Sequence, residues 1–504
     1  MRKNKVIFIK NALILTVTGL LIRFLGMLFR VWLASAVGAE GLGLYSQVFS
    51  FYMLASAFAS TGINTAVTRM VSDELSRGNH SGVKKVLKRC VAVTLSIALV
   101  SSAVIFFSAD FIGAHFIGDE RASDALKTLV ISLPFMGVSS CFKGYFIARK
   151  KAAPASSSQI FEQLSRIALV MFLVSKTAKK GIAASCRAVI LGDSLAEVLS
   201  CIYMYISYIV DKNRHLCNDN HSVLGYSVLS KLRHIALPIV SGRYLNSLLR
   251  TAENMLVPRQ LEASGMTQSA ALSVFGVIKG MALPLIFFPA SFLNAMSTLL
   301  IPEMSEAATL GRDLKVKYTA EKCVHITLLS AFPLAVIFLY ASKPLGLLFY
   351  KDTLSGEIIR LLSPIIPLMY LDSVCDGLLK GLDEQASIFR NSILDSIIRL
   401  SLIMLFLKEL GLYGFIGIMY FSNAFTCSLN LFRLKKRAKM RIRWFKWLVY
   451  PFLFALSIGT TIYLILDCFS LNDIVFSLIF VSSTALIYLF AVIKCRLITR
   501  EDLQ

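Results

Sequence analysis

A chain of 504 residues that is 56% hydrophobic and only 16% charged, with a mean hydropathy of +0.68, is too apolar to be a soluble protein. The formal net charge of +23 does not argue for a nucleic-acid partner, because most basic residues sit in short segments between apolar runs, where they orient a membrane protein. Ten cysteines contain no CxxC pair and six histidines share no ligand spacing with them, so neither a disulfide framework nor a structural metal is expected.

The first predicted element is a span at 11–36. Its start imitates a secretory signal, with Arg2, Lys3, Lys5 and Lys10 before an apolar run that ends at Ala34-Ser35-Ala36. The run is too long for a signal core and contains Arg23 and Arg30, so it reads as an uncleaved first span. Runs of crossing length follow at 44–68, 90–114, 124–148, 155–176, 181–210, 232–256, 269–300, 323–348, 357–382, 386–408, 412–433, 445–467 and 472–493. The predicted fold is all-α, a polytopic membrane protein of about 14 transmembrane helices.

Spans one and seven carry the same pattern. Arg23 and Arg30 stand seven residues apart, as do Arg243 and Arg250, and Leu25/Leu245 and Leu28/Leu248 match between them. Seven residues is nearly two helical turns, so each pair shares one face. Arginine inside a span is costly and usually faces a polar cavity or a partner. Guanidinium forks bind phosphate bidentately and stay charged, so four around a cavity would favour a pyrophosphate or carboxylate group. The competing readings are snorkelling to the interface and pairing with buried acids such as Glu253.

Other spans hold charge as well. Glu162/Arg166 in span five and Asp395/Arg399 in span eleven are acid-first pairs four residues apart, an order that favours an intrahelical ion pair. Asp193 and Glu197 in span six, and Asp372 and Asp376 in span ten, lie one turn apart. They read either as a cation or proton site for coupling, or as charge balance for the arginines. Lys279 lies in span eight just before Pro284 and Pro289, which are expected to interrupt the helix and free backbone groups near it. That suits a moving transport element; snorkelling or packing strain accounts for it equally.

Lys84, Lys85, Lys88 and Arg89, then Arg149, Lys150 and Lys151, then Lys212 and Arg214, then Arg312, Lys315 and Lys317 fall on one side. The dense run from Arg433 to Lys446 joins them, which places both termini in the cytoplasm by the positive-inside rule. Lys176, Lys179 and Lys180 run against this trend.

The halves repeat. At an offset of 233, Pro134 matches Pro367, Met136 matches Met369, Gly144 matches Gly377, Glu162 matches Asp395 and Arg166 matches Arg399. Asn64/Asn294 and Thr68/Thr298 match at 230. The expected division is an N-lobe of six spans at 1–215, a C-lobe of six at 216–436, and two further helices with a cytoplasmic tail at 437–504. Parallel repeats of this kind place a substrate site where the lobes meet.

No catalytic set is present: the chain has no Walker A loop, no GxSxG and no HExxH, and Gly38-Ala39-Glu40-Gly41-Leu42-Gly43 is an interfacial loop with no strand before it. The chain is therefore not expected to be an enzyme or to need a cofactor. An ion gradient, the membrane potential or substrate sinks would supply energy; the potential is worth ~2.3 kcal/mol per charge per 100 mV.

The two six-span lobes, Arg23-Phe24-Leu25-Gly26 followed by Gly38, the stretch from Thr61-Gly62-Ile63-Asn64, and the span-eight segments Ala282-Leu283-Pro284, Leu293 to Thr298 and Ile301-Pro302 carry a resemblance. The chain resembles the multidrug/oligosaccharidyl-lipid/polysaccharide exporter superfamily, and within it the polysaccharide exporters typified by stage V sporulation protein B. The resemblance implies a flippase of the cell membrane that moves a lipid-linked saccharide, a peptidoglycan precursor for the spore cortex or cell wall, by alternating access. In the related lipid II flippases, span-one arginines and a span-eight basic residue line the cavity. Arg23 falls on one such position and Lys279 is a counterpart of the span-eight residue, whereas the second span-one arginine aligns with Phe29 and leaves Arg30 one place off.

The expected function is thus export or flipping of an anionic lipid-linked saccharide, with Arg23, Arg30, Arg243, Arg250 and Lys279 as substrate-binding residues. Glu162, Arg166, Asp193, Glu197, Asp372, Asp376, Asp395 and Arg399 are candidates for coupling or charge balance. Membrane lipids and a coupling cation or the membrane potential are the expected partners. The alternative is a cation-coupled multidrug exporter of the same fold, which should present acids at the lobe interface. A membrane glycosyltransferase is disfavoured by the short outer loops, and a scaffold would not need charge inside its spans.

Overall fold

The computed structural model describes residues 2–60, 62–215, 227–469 and 471–495. They form the helices α1 (Arg2–Ala59), α2 (Ile63–Ser76), α3 (His80–Phe111), α4 (Arg121–Leu129), α5 (Ser132–Ala148), α6 (Ala152–Thr177) and α7 (Ile182–His215). There follow α8 (Val228–Ala263), α9 (Gln268–Gly276), α10 (Leu283–Thr309), α11 (Asp313–Tyr340), α12 (Ser342–Tyr350), α13 (Thr353–Leu362) and α14 (Ile366–Gly381). The chain continues as α15 (Gln385–Ala438), α16 (Tyr450–Asp467) and α17 (Asp473–Lys494). Thr61 of the span-two motif, Cys217, Arg496 and Arg500 lie outside the described residues.

Two helices are too long for one crossing. α15 has 54 residues, or roughly 81 Å at 1.5 Å per residue, against a hydrocarbon core of about 30 Å. It is broken at Gly411 (φ 54°, ψ −139°), and α1 is broken at Gly38 (φ 77°, ψ 175°). Only glycine adopts these angles without a side-chain clash, so each glycine ends one crossing and starts the next.

Ten segments among the described residues are long and apolar enough to cross a membrane, and two of them contain these breaks. α6 and α8, with 26 and 36 residues, have the length but not the apolarity. α6 carries Glu162 and Arg166, and α8 carries Arg243 and Arg250, so the helices that fail the apolar test are helices of the candidate site. With these two helices and the two breaks, the helices account for the fourteen predicted spans.

Large apolar side chains point outward: Phe107 is 84% exposed, Leu486 67% and Leu405 66%. Such a surface is a liability in water but is the natural covering of a helix in lipid.

Grouped by internal contacts, the chain forms two units: Met1–Phe29 with Ala36–Arg259, and Arg30–Ser35 with Gln260–Gln504. The first packs Val67, Met70, Leu87, Tyr145 and Met204 into its core. The second packs Val324, Leu328, Val374, Leu378 and Leu434. α8, assigned by the repeat to the C-lobe, makes its contacts in the first unit as far as Arg259: Thr251 donates to the Ser50 carbonyl (3.1 Å), and Asn254 donates to the Ser50 hydroxyl (2.8 Å).

Lipid removes the hydrophobic drive between helices, so association rests on close approach at small residues. The repeat makes the same contact twice. A Cβ on Gly144 would lie 2.8 Å from the Asn64 carbonyl and 3.2 Å from Val67, and a Cβ on Gly377 would lie 2.8 Å from Ser297. Val67 and Ser297 are themselves equivalent at the offset of 230.

Around Lys279 the helix changes pitch and does not stop. Residues Val277–Ala282 form a π-helical turn, and α10 runs on through Pro289 and Pro302. Tyr350 donates to the Met281 carbonyl inside this turn (3.0 Å), and Tyr370 to the Ile286 carbonyl just beyond it (2.5 Å). The expected interruption at the prolines is thus a π-helical distortion instead, of the kind often found at functional positions.

Candidate functional site

In the first unit a charged cluster is assembled by α5, α6 and α7. The acid-first spacing puts Glu162 and Arg166 on one face of α6, and Arg166 Nη2 lies 3.0 Å from Glu162 Oε1. α7 comes close to α6 because Gly192 has no side chain: a Cβ there would stand 3.0 Å from the Val170 backbone. The neighbouring turn then delivers Asp193 (Oδ1 3.3 Å from Arg166 Nε) and Glu197 (Oε1 3.8 Å from Arg166 Nη2). Tyr45 of α1 donates to Asp193 (3.0 Å) and Ser200 donates to Glu162 (3.2 Å). Lys143 of α5 reaches Glu162 Oε2 at 3.5 Å. One guanidinium therefore faces three carboxylates and a second cation closes the group, which is how charges persist in a membrane interior.

The cluster is not sealed. It borders a cavity of about 320 Å³ lined by Lys143, Gln159, Glu162, Arg166, Glu197 and, from α1, Ile22. Gly26 of α1 faces Gln163 of α6. Arg23 lies between these two α1 positions in the sequence, and its side chain is exposed.

The second unit holds the equivalent residues of α14 and α15. Arg399 Nη2 lies 2.6 Å from Asp395 Oδ2, and Ser422 donates to Asp395 Oδ1 (2.5 Å). Asp372 and Asp376 meet at an amide: Asn430 Nδ2 donates to Asp372 (2.9 Å) and to Asp376 (3.1 Å), while its carbonyl accepts from Asn391 (2.9 Å). Both donors and the acceptor of Asn430 are used.

Of the predicted substrate-binding residues, Arg23, Arg243 and Arg250 belong to the first unit and Arg30 and Lys279 to the second. The four arginines are exposed and Lys279 is half-buried. Glu253, the acid considered as a partner for these arginines, is buried. The acids of span six turn toward an arginine, as charge balance requires, whereas those of span ten turn toward an amide.

Lys143, Asn391 and Asn430 escaped the sequence reading, as did the hydroxyls of Tyr45, Ser200 and Ser422. A signal existed for two of them, since the offset of 233 equates Lys143 with Asp376 and Glu197 with Asn430. Asn391 sits one turn before Asp395 and is uncharged, so nothing marked it.

Residues 8–308, more than half of the chain, match the family described as "Polysaccharide biosynthesis protein". The chain belongs to this family. Among the relatives of this chain, stage V sporulation protein B of Bacillus subtilis (strain 168) is 25% identical over 414 residues, covering 81% of this chain and 79% of the relative. Lipid II flippase MurJ of the same organism is 21% identical over 422 residues, covering 78% and 76%. Among solved structures, lipid II flippase MurJ in an inward closed conformation aligns with a TM-score of 0.73 at 15% identity, over 95% of this chain and 98% of that one. An inward-facing multidrug resistance MATE family transporter of the MOP superfamily aligns with 0.64 at 14% identity, over 84% and 98%. The polytopic helical fold of the superfamily is thereby established for this family member.

Proposed function

We propose that this protein is a membrane flippase that translocates an anionic lipid-linked saccharide by alternating access, with a peptidoglycan precursor of the spore cortex or cell wall as the substrate class. The observation that carries the reading is the repeated arginine pair, Arg23/Arg30 and Arg243/Arg250, exposed on helices otherwise built for a bilayer. An exposed guanidinium on such a helix suits a phosphate or pyrophosphate headgroup. Arg30, Arg243 and Arg250 have no hydrogen bond or ion pair among the described residues. Lys279, in its π-helical turn, is the fifth proposed substrate contact. The similarity to stage V sporulation protein B and to lipid II flippase MurJ supports the same substrate class.

Functionally the chain divides as the repeat does, at 1–215, 216–436 and 437–504. Glu162, Arg166, Asp193, Glu197, Asp372, Asp376, Asp395 and Arg399 balance charge or couple transport to a cation or to the membrane potential. The protein sits in the cell membrane with both termini cytoplasmic. Labelling of cysteines placed at 433–446 from the cytoplasmic side only is the expected result, and labelling from outside would invert the orientation.

The reading is tested by reconstituting the full chain in liposomes with a fluorescent lipid-linked disaccharide pyrophosphate, and in parallel with a lipid-linked disaccharide lacking the phosphates. Exchange of the anionic substrate between leaflets, and not of the neutral one, is expected. Efflux of a small cationic drug without exchange of the anionic lipid would favour the multidrug reading, which the MATE likeness shares in fold.

A further inference from the structure

The proposed function leaves one sequence feature unused: Lys176, Lys179 and Lys180, which stand on the face opposite the other basic connections. The positive-inside rule gives no reason for cations there. In the first unit, alternate connections put the α6–α7 turn and the α3–α4 connection together at that end, away from the basic α2–α3 and α5–α6 turns. Between them lies a second cavity, of about 550 Å³, separate in its lining residues from the one beside Arg166.

Its construction is two-sided. Arg121, Lys180 and Arg187 supply the positive lining. Leu173, Ala184, Ala188 and Leu191 supply an apolar wall, and the alanines keep it open. Glu120 and Asp124 also border the cavity, and Lys180 is the lining cation with no ion-pair partner among the described residues. Arg121 is held in place by Asp119 (2.7 Å) and Glu40 (2.8 Å) through Nε and Nη2. Its Nη1 donates to nothing among the described residues. Arg187 stands 3.6 Å from Asp124, and both side chains are more than half exposed. Lys179 and Lys180 have no ion-pair partner among the described residues.

From this geometry we infer that the cavity between α4, α6 and α7 binds the headgroup phosphate of an anionic phospholipid, with Lys180, Arg187 and the Arg121 edge on the phosphate and the apolar wall along the glycerol and first acyl carbons. A small soluble anion would use the cations but not the wall. A zwitterionic lipid would use the wall but bring a cation of its own into a basic rim. Each basic residue near a membrane surface contributes on the order of 1 kcal/mol toward an anionic lipid. The site does not depend on the identity of the transported substrate.

The test is native mass spectrometry of the full-length protein released from nanodiscs of phosphatidylglycerol, and separately of phosphatidylcholine. The wild-type chain is expected to retain one phosphatidylglycerol and no phosphatidylcholine. K180A/R187A is expected to retain it roughly 30-fold more weakly. Both side chains are exposed, so folding is not at stake, and Arg243→Ala should retain the lipid like the wild type. Equal retention of the two lipids, or wild-type retention by K180A/R187A, would overturn the inference. So would displacement of the lipid by inorganic phosphate alone, which would assign the cations to a soluble anion.

Discussion

At positions related by the offset of 233, the first unit places Lys143, Glu162, Arg166, Asp193 and Glu197 where the second places Asp376, Asp395, Arg399, Thr426 and Asn430. The acid–arginine pair on one helix is common to both. What surrounds it is not. The first unit gathers three carboxylates against one guanidinium and brings in a lysine. The second turns that lysine into an aspartate and adds Asp372, then uses the neutral Asn430 to hold the two acids. One helical frame thus supports two ways of keeping carboxylates in a membrane interior. One sets them against tethered cations; the other also hydrogen-bonds two of them to a neutral amide.

Four substitutions test that contrast. The largest effect is expected from Arg166→Ala, which strips the guanidinium from Glu162, Asp193 and Glu197 together. Breaking a buried ion pair from one side costs about 3–5 kcal/mol. A fall in detergent-solubilised melting temperature and in membrane abundance should report it, and an unchanged melting temperature would mean that the first unit does not rely on tethered charge. A smaller loss, about 2 kcal/mol, is expected from Lys143→Asp, which copies the second unit's residue into the first. Adding Glu197→Asn extends the copy and should recover about 1 kcal/mol, a coupling the double-mutant cycle reads directly. Simple additivity would show that the two positions do not act as a pair. The smallest effect is expected from Asn430→Ala, about 1 kcal/mol, as two carboxylates lose neutral donors. A loss matching that of Arg166→Ala would erase the distinction between the units.

Much of this was legible in the sequence. Apolar runs gave the helices, and fixed offsets gave a repeat that recurs in the structure as Gly144 on Val67 and Gly377 on Ser297. The acid-first spacing gave both intrahelical pairs. Lys143 was hidden because one lysine in an apolar run has no partner in its own helix; Glu162 comes from the next one. Asn430 and Asn391 were hidden because amides stand out only when their hydrogen bonds are seen. Pro284 and Pro289 promised a broken helix, but proline only removes a donor, and a π-helical turn with two tyrosine hydroxyls absorbs the change. Contacts made by α8 with the first unit depend on packing between helices, which no single-helix pattern records.

The proposal that basic side chains receive an anionic headgroup has one direct measurement: leaflet exchange of the fluorescent lipid-linked disaccharide pyrophosphate in liposomes carrying Arg23→Ala or Arg243→Ala at wild-type protein density. Each variant is expected to lose exchange while remaining folded and inserted. Exchange at the wild-type rate in both would contradict the account.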